Sequence, residues 1–106
     1  MKVCIIMPAY NEERRIGDTL KRYASFFKEL KKKKAIDNFE IIVVINNTKD
    51  RTLEIVKDYS KKYKEIRYLN FKEGGKGFAI TEGFRDALQR DTDLIGFVDA
   101  DMATSP

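Results

Sequence analysis

The chain has 106 residues, with 21 Lys and Arg against 17 Asp and Glu, and it contains no histidine. This length fits one domain, and the lack of histidine excludes a histidine base or a histidine-ligated metal within the chain. Cys4 is the only cysteine, which excludes an intrachain disulfide and a cysteine-rich zinc site.

The first predicted elements are a strand and a helix. Residues 3–7 are apolar and predict a buried strand, whose hydrogen bonding Pro8 is expected to end because proline has no N–H. Asn11 is the expected N-cap of a helix that ends near Lys33, with acidic residues in its first turn. Apolar residues at spacings of three and four form its predicted core stripe. They are Ile16, Leu20, Tyr23, Ala24, Phe27 and Leu30.

Residues 39–45 predict a second strand, which lacks polar alternation and is therefore expected to be buried on both faces. Thr48 or Asp50 is expected to cap a second helix. Residues 66–70 predict a third strand, and a glycine-containing turn then leads into a third helix. The predicted core residues are Leu53, Val56, Tyr59 and Tyr63 in the second helix, and Ile80, Gly83, Phe84, Ala87 and Leu88 in the third.

The fourth predicted strand, residues 94–98, is another short apolar run and is expected to be buried. The element order is then βαβαβαβ, which predicts an α/β fold with a parallel sheet, right-handed crossovers and helices on both faces. We expect one domain over residues 1–106, with the three-layer αβα architecture of half a nucleotide-binding sheet. The fourth strand is a candidate exposed edge, which would invite self-association or pairing with a partner chain.

Two carboxylates, Asp99 and Asp101, follow the fourth strand. Ligands bind at this carboxyl edge in open α/β sheets, and alternation along the strand would point both side chains to one side. A hard cation such as Mg²⁺ takes one or two protein carboxylates and completes its shell with water and substrate phosphates. The pair therefore predicts a metal–diphosphate site. A solvated acidic turn is the alternative, with about equal weight for the pair alone.

Polar residues that follow the first two strands are predicted to meet the carboxylates at the same edge. Glycines in the 74–77 turn would let the backbone approach a ligand, and Lys76 would add a positive charge for phosphate. This turn matches neither the P-loop nor the dinucleotide fingerprint, and a simple loop requirement for glycine is the alternative. The polar residues are Tyr10, Asn11 and Glu12 after the first strand, and Asn46, Asn47 and Asp50 after the second.

The lysine run at residues 31–34 is interpreted as a solvated helix end. No aromatic residues interleave with it as they do in single-strand binding surfaces, so we expect no specific nucleic-acid partner. The apolar runs of about five residues fall far short of the ~20 needed to span a bilayer. With a single cysteine, this composition predicts a cytoplasmic protein.

Together, the motifs resemble family 2 glycosyltransferases of the GT-A, Rossmann-like fold, and in particular the dolichyl-phosphate mannose or glucose synthases. The resemblance covers the whole chain, and the motifs stand in the order and at the spacing of that family. They are Pro8-Ala9-Tyr10-Asn11-Glu12-Glu13, the strand at 40–44, Gly75-Lys76-Gly77, and Asp99-Ala100-Asp101 with Ser105-Pro106.

The resemblance implies an inverting enzyme that uses Mg²⁺ or Mn²⁺ to transfer a sugar from a UDP- or GDP-sugar. The implied acceptor is a polyprenyl or dolichyl phosphate at the cytoplasmic face of a membrane, where the protein would be peripheral. Asp99 and Asp101 would hold the metal, with Asp101 the better candidate for direct contact. No residue of the chain is assigned as catalytic. The implied nucleotide-sugar-binding residues are Pro8, Ala9, Tyr10, Glu12, Asn46, Lys76 and Asp99.

The chain departs from the family pattern at Asn46, which stands where the family has a base-reading carboxylate. An amide offers both a donor and an acceptor, so base contact survives as an option. The family domain is also longer than this chain. A non-catalytic nucleotide-sugar-binding fragment, or a split subunit that needs a partner chain, is therefore the alternative function.

Overall fold

The structure, a computed structural model, describes residues 1–46, 48–72 and 75–100, except for the side chain of Lys76. Strands and helices alternate through these ranges, which confirms the predicted order. The elements are β1 (Lys2–Ala9), α1 (Ile16–Lys32), β2 (Asn38–Asn46), α2 (Thr52–Lys62), β3 (Ile66–Phe71), α3 (Lys76–Ala87) and β4 (Leu94–Phe97).

The four strands form a parallel sheet in the order β3-β2-β1-β4. β1 pairs with β2 from Lys2↔Asn38 to Ala9↔Ile45, and with β4 from Val3↔Leu94 to Ile6↔Phe97. The chain thus adds β2 and β3 on one side of β1 and then crosses to the other side for β4. This reversal between β1 and β4 creates a topological switch point, the place where ligands bind in open α/β sheets.

Alternate residues of β1 and β2 enter two separate cores because side chains alternate across a strand. One core lies between the sheet and helices α1 and α2, and the other lies under α3. The three-layer αβα prediction is therefore confirmed. The first core includes Val3, Ile5, Met7, Leu20, Tyr23, Ile41, Val43 and Val56, and the second includes Cys4, Ile6, Ile42, Val44, Ala79 and Ala87. Among the described residues, no helix has the length and apolar character needed to cross a bilayer.

Pro8 does not end β1, contrary to the prediction, since β1 continues through Pro8↔Val44 to Ala9. The carbonyl of Ile6 accepts a hydrogen bond from the N–H of Val98, so Ile6 directs its backbone groups toward β4. Residues two apart on a strand direct these groups to the same side. The nitrogen of Pro8 therefore faces the β4 side of β1, beyond the last β1–β4 pair, so the missing N–H removes no hydrogen bond from that pairing.

The predicted N-cap of α1 is also wrong, because α1 begins at Ile16, with Arg15 as its N-cap. Asn11 instead adopts a left-handed conformation, with φ 48°. Asparagine tolerates this region better than most residues. The carbonyl of Glu12 accepts hydrogen bonds from the N–H groups of Arg15 and Ile16, so a separate turn precedes the helix.

Four apolar residues predicted to be buried are exposed. Phe84 of α3 and Leu88, its C-cap, are 41% and 63% exposed, and Leu94 and Phe97 of β4 are 50% and 48% exposed. α3 instead packs on the sheet through Ala79, Gly83 and Ala87, so its sheet-facing stripe is narrow and composed of small residues. β4 pairs with β1 alone, which places it at an edge of the described sheet, as predicted.

A charge cluster fixes the amino-terminal end of the second core. Arg90 donates to Glu40 through Nε at 2.8 Å and through a terminal nitrogen at 2.5 Å, and to Asp86 at 2.9 Å. Cys4 lies fully buried beside Glu40. Burial, followed by the negative charge of Glu40, raises the pKa of the Cys4 thiol to about 12.

Gly83→Ala tests the close approach of α3 to the sheet. A Cβ at Gly83 would lie 2.6 Å from Ile6 Cγ2 and 3.1 Å from Val44 Cγ2. We expect this overpacking to lower the free energy of unfolding by about 1–2 kcal/mol, measured by urea denaturation. The control is Gly77→Ala on the same helix, because nothing lies within 4 Å of a Cβ there. Equal stability of the two variants would contradict the packing described.

Candidate functional site

The predicted site residues follow the ends of β1, β2 and β4 at the carboxyl edge of the sheet. Asp99 lies two residues beyond β4 and is partly buried. It therefore stands beside the switch point between β1 and β4. Asp101 and Asn47, which were predicted at the same edge, lie outside the described residues.

The segment that follows β1 presents a mixed surface. Ala9 is 3% exposed and packs into the core, whereas Tyr10 is 56% exposed. Pro8 is partly buried at the end of the strand. The Glu12 carboxylate is largely buried, and its Oε2 lies 3.0 Å from Arg15 Nε without the alignment of a hydrogen bond. Within residues 8–13, the exposed side chains are those of Tyr10, Asn11 and Glu13.

Asn46 joins the end of β2 to the start of α3. Its Nδ2 donates a hydrogen bond of 3.1 Å to the carbonyl of Gly75, the N-cap residue of α3. A carboxylate at this position could not donate and would face the carbonyl oxygen with a negative charge. The structure therefore gives a physical reason for an amide where the family pattern has an acid.

α3 begins at Lys76, at the same edge of the sheet as Asn46. A helix N-terminus carries partial positive charge and unpaired N–H groups, which favour anions. Lys76, which is predicted to lie near phosphate, is the first residue of this helix. Its side chain lies outside the described part of the chain.

Hydrogen bonds connect the loop after β1 to the loop after β2. The N–H of Glu12 donates to Thr52 Oγ1 at 2.8 Å, and the N–H of Glu13 donates to Asp50 Oδ2 at 3.2 Å. In the opposite direction, the N–H of Lys49 donates to Asn11 Oδ1 at 2.9 Å. These bonds fix the predicted nucleotide loop against the start of α2.

Asp50 anchors this connection. Its Oδ1 accepts hydrogen bonds from the N–H and the hydroxyl of Thr52, at 2.9 and 2.5 Å. The N-cap of α2 is nevertheless Arg51, which makes no side-chain cap, so the prediction of Thr48 or Asp50 as the cap is wrong. Burial alone would raise the pKa of Asp50. Hydrogen bonds from the Thr52 hydroxyl and from the N–H groups of Thr52 and Glu13 outweigh burial and hold the pKa below its usual value.

An open cleft of about 420 Å³ borders the same two loops. Of the predicted nucleotide-sugar-binding residues, Glu12 alone lines it. Its lining residues are Asn11, Glu12, Glu13, Arg14, Arg15 and Asp50. The cleft is therefore formed by the segment between β1 and α1 together with Asp50, and Asp99 does not line it.

α1 is tied to the segment that follows β4. The hydroxyl of Thr19, which is fully buried, donates a hydrogen bond of 2.7 Å to the carbonyl of Ala100. Tyr23, one helical turn further along, is also buried. Burial, followed by the charge of Asp99, raises the pKa of the Tyr23 hydroxyl. α1 thus contacts the backbone between the two predicted metal ligands.

Thr19 and Thr52 were missed as site residues by the sequence analysis. The sequence does contain a feature that points to Thr19, because this hydroxyl residue falls within the buried stripe that contains Ile16, Leu20 and Tyr23. A polar side chain at a core position needs a partner. The identity of that partner, 81 residues away, could not be read from the stripe.

The donor set at this edge fits a hard cation. Carboxylate oxygens are ligands that Mg²⁺ and Mn²⁺ prefer, and Asp99 is held at the switch point in a partly buried position. Within the described ranges, no three Asp, Glu, Cys or His side chains gather closely enough to hold a metal ion. Of the two carboxylates predicted to hold a cation, the structure describes Asp99 alone.

Asn46→Asp tests the tie between β2 and α3. We expect it to lower the free energy of unfolding by about 1–3 kcal/mol, because it replaces a buried donor with a carboxylate. Asn38→Asp is the matched control, since Asn38 uses only its Oδ1, as an acceptor from Lys31 Nζ and the N–H of Phe39. Urea denaturation of both variants measures the difference. Similar stability would show that the Asn46 donor contributes nothing.

Asp50→Asn tests the loop connection through its pH dependence. A lowered folded-state pKa contributes stability above the ordinary value of about 3.9, and this stability is lost as the pH falls through the folded pKa. We expect the variant to lose about 1–2 kcal/mol at pH 7, with the gap to wild type closing below about pH 4. Denaturant titrations across this range, with Asp58→Asn on the exposed face of α2 as control, measure it. A gap independent of pH would contradict the assignment.

Comparison with known proteins finds several relatives that are named as glycosyltransferases. The chain is 38% identical over 103 residues to a dolichyl-phosphate beta-glucosyltransferase of Trichomonas vaginalis, covering 96% of this chain and 31% of the relative. It is 34% identical to the Drosophila melanogaster dolichyl-phosphate beta-glucosyltransferase, covering 98% and 32%. A dolichol-phosphate mannosyltransferase of Pyrococcus furiosus is 32% identical, with 100% and 27% covered. The chain thus spans about a third of the length of these curated relatives.

Solved structures share the fold. The chain matches S. aureus TarS with a TM-score of 0.72 and 30% identity, over 95% of this chain and 28% of that one. TarS has also been solved in complex with UDP. A Pyrobaculum calidifontis mannosyltransferase, solved with GDP-mannose and Mn²⁺, matches with a TM-score of 0.74 and 22% identity, over 93% and 27%. The GT-A fold predicted from the motifs is confirmed.

Comparison with the common sequence pattern of whole protein families also gives a match over nearly the full sequence. The family described as "Glycosyl transferase family 2" matches residues 4–106, which include every motif named above. The chain belongs to glycosyltransferase family 2.

Proposed function

We propose that the protein binds a nucleotide diphosphate sugar at the switch point between β1 and β4 and transfers its sugar, with inversion, to a lipid-phosphate acceptor. One observation carries the proposal. The ends of β1, β2 and β4 and the start of α3 lie at a single edge of the sheet, and the described parts of the family motifs stand at these ends. These motifs lie far apart in the sequence, and the parallel sheet brings their described parts to the same edge.

The chain's own residues would bind the donor through different groups. Tyr10 offers an exposed ring for the base, and aromatic rings stack on bases. Pro8, Ala9 and Glu12 would contribute mainly backbone, because their side chains are partly or fully buried. Lys76 and the α3 N-terminus would face the diphosphate. Asn46 would contact the base through the hydrogen-bonding capacity of its amide that the bond to the Gly75 carbonyl does not use.

Asp99 and Asp101 are the residues that would hold Mg²⁺ or Mn²⁺. The bound ion would stabilise negative charge that develops on the leaving diphosphate. The fold is one that accommodates GDP-mannose and Mn²⁺ in the Pyrobaculum mannosyltransferase. The carboxylates of this chain would fix the position of the diphosphate relative to the acceptor, and a phosphate acceptor that is already ionised needs no strong base.

The acceptor class follows from the relatives' names, which specify dolichyl phosphate in Trichomonas, Drosophila and Pyrococcus. A lipid phosphate would place the protein at a membrane surface as a peripheral partner. UDP-glucose and GDP-mannose are the two donors to compare, because the relatives include both glucosyl- and mannosyltransferases.

A second candidate, a non-catalytic module or split subunit, has one observation in its favour. β4 lies at an edge of the described sheet, and exposed edges invite pairing with another segment or chain. The family match over residues 4–106 favours the transferase. Light scattering separates the two, because a monomer that turns over donor would exclude the need for a partner chain.

The decisive test is calorimetric titration of the protein with UDP-glucose and with GDP-mannose, each with Mn²⁺ and with a chelator. We expect one donor to bind only when the metal is present. Asp101→Ala and Asp99→Asn are expected to abolish the metal-dependent part of the binding. Asp58→Asn removes a carboxylate from the exposed face of α2 and is the control. Binding that is equally tight in chelator, or in Asp101→Ala, would overturn the site assignment.

A further inference from the structure

We infer that Thr19 of α1 is a positioning residue for the backbone that carries Asp99, and the inference rests on the proposed metal-dependent function. Thr19 acts on the backbone next to Asp99, through the hydrogen bond from its hydroxyl to the Ala100 carbonyl at 2.7 Å.

The position of Thr19 on α1 makes this bond unusual. Helical threonines ordinarily direct the hydroxyl to a carbonyl three or four residues back on their own helix. Here the N–H of Thr19 bonds to the Arg15 carbonyl in the regular way, while the hydroxyl reaches a carbonyl 81 residues away. The side chain thus links two elements that no regular ladder joins.

Ala100 depends on this bond because it lies beyond the sheet. The β1–β4 pairing ends at Ile6↔Phe97, and the N–H of Val98 makes the next bond, to the carbonyl of Ile6. Ala100 is 4% exposed, so its carbonyl is withdrawn from water and needs a protein donor. The buried Thr19 hydroxyl is that donor.

A threonine is chemically suited to this task. A lysine or arginine in the same place would satisfy the carbonyl, but its charge would compete with a cation for Asp99. The threonine hydroxyl is neutral, and the β-branched side chain has few rotamers to lose. Groups that orient metal ligands from outside the coordination shell change metal affinity strongly when removed.

The test compares Thr19→Val, which keeps the shape and loses the hydroxyl, with Thr19→Ser, which keeps the hydroxyl. Mn²⁺ is titrated into isotopically labelled protein in the presence of UDP or GDP, and paramagnetic broadening of backbone resonances at residues 99–101 is followed. We expect Thr19→Val to need about ten-fold more Mn²⁺ for the same broadening, and Thr19→Ser to behave like wild type. Nucleotide affinity in chelator should stay unchanged in both.

Two further measurements separate positioning from general stability. The Ala100 carbonyl ¹³C shift reports directly on the hydrogen bond, and it should move in Thr19→Val whether or not a metal is present. Val56→Ala removes buried volume from the same core on α2 and serves as a destabilised control. We expect it to retain the wild-type Mn²⁺ titration.

The outcomes are distinct. A shifted Ala100 carbonyl with an unchanged Mn²⁺ titration would overturn the positioning role and leave the proposed function standing. The same loss of Mn²⁺ affinity in Val56→Ala would overturn it as well, because general destabilisation would then account for the effect. No Mn²⁺-dependent broadening in wild type would overturn the proposed function and this inference together.

Discussion

β1 is the constraint on which the rest of the structure depends. Like β2, it is paired on both sides and covered on both faces, but of these two strands it is the one that pairs with β4, where the strand order reverses. A strand in this position must be apolar on both faces, which is why five consecutive residues from Val3 to Met7 are buried. The reversal of strand order beside it creates the crevice into which the polar residues that follow the strands project.

The site is assembled by single hydrogen bonds from side chains to distant backbone groups. Thr19 reaches Ala100, Asn46 reaches Gly75, and Thr52 accepts from Glu12. Each joins a loop at the carboxyl edge to a helix or to another loop. Irregular segments cannot share ladder hydrogen bonds, so isolated polar side chains must satisfy their backbone groups. The positions of the proposed ligand-binding residues thus depend in part on Thr19 and Thr52, to which no contact with a ligand is assigned.

The sequence predicted the structural features that depend on patterns along the chain, namely apolar runs and the alternation of strands and helices. Unbroken apolar runs identified β1 and β2 as buried on both faces, and the alternation of elements identified the parallel sheet. Pairings that depend on distant elements were not accessible. Proline fits within β1 at position 8 because the pairing with β4 ends before it. Asn11 adopts a left-handed conformation in which its side chain accepts a hydrogen bond from the N–H of Lys49. Periodicity placed Phe84 on an apolar face of α3 but could not show that small residues alone would meet the sheet.

The buried thiol of Cys4 has a practical consequence. With a pKa of about 12, it stays protonated at physiological pH. The thiolate is the reactive form, and the sulfur is also fully enclosed in the core. In the native fold, the single cysteine of the chain should therefore be unreactive toward maleimide reagents. A cysteine introduced at exposed Tyr10 would be the one labelled site, so that a fluorophore there could follow events at the rim of the sheet without removal of the natural cysteine.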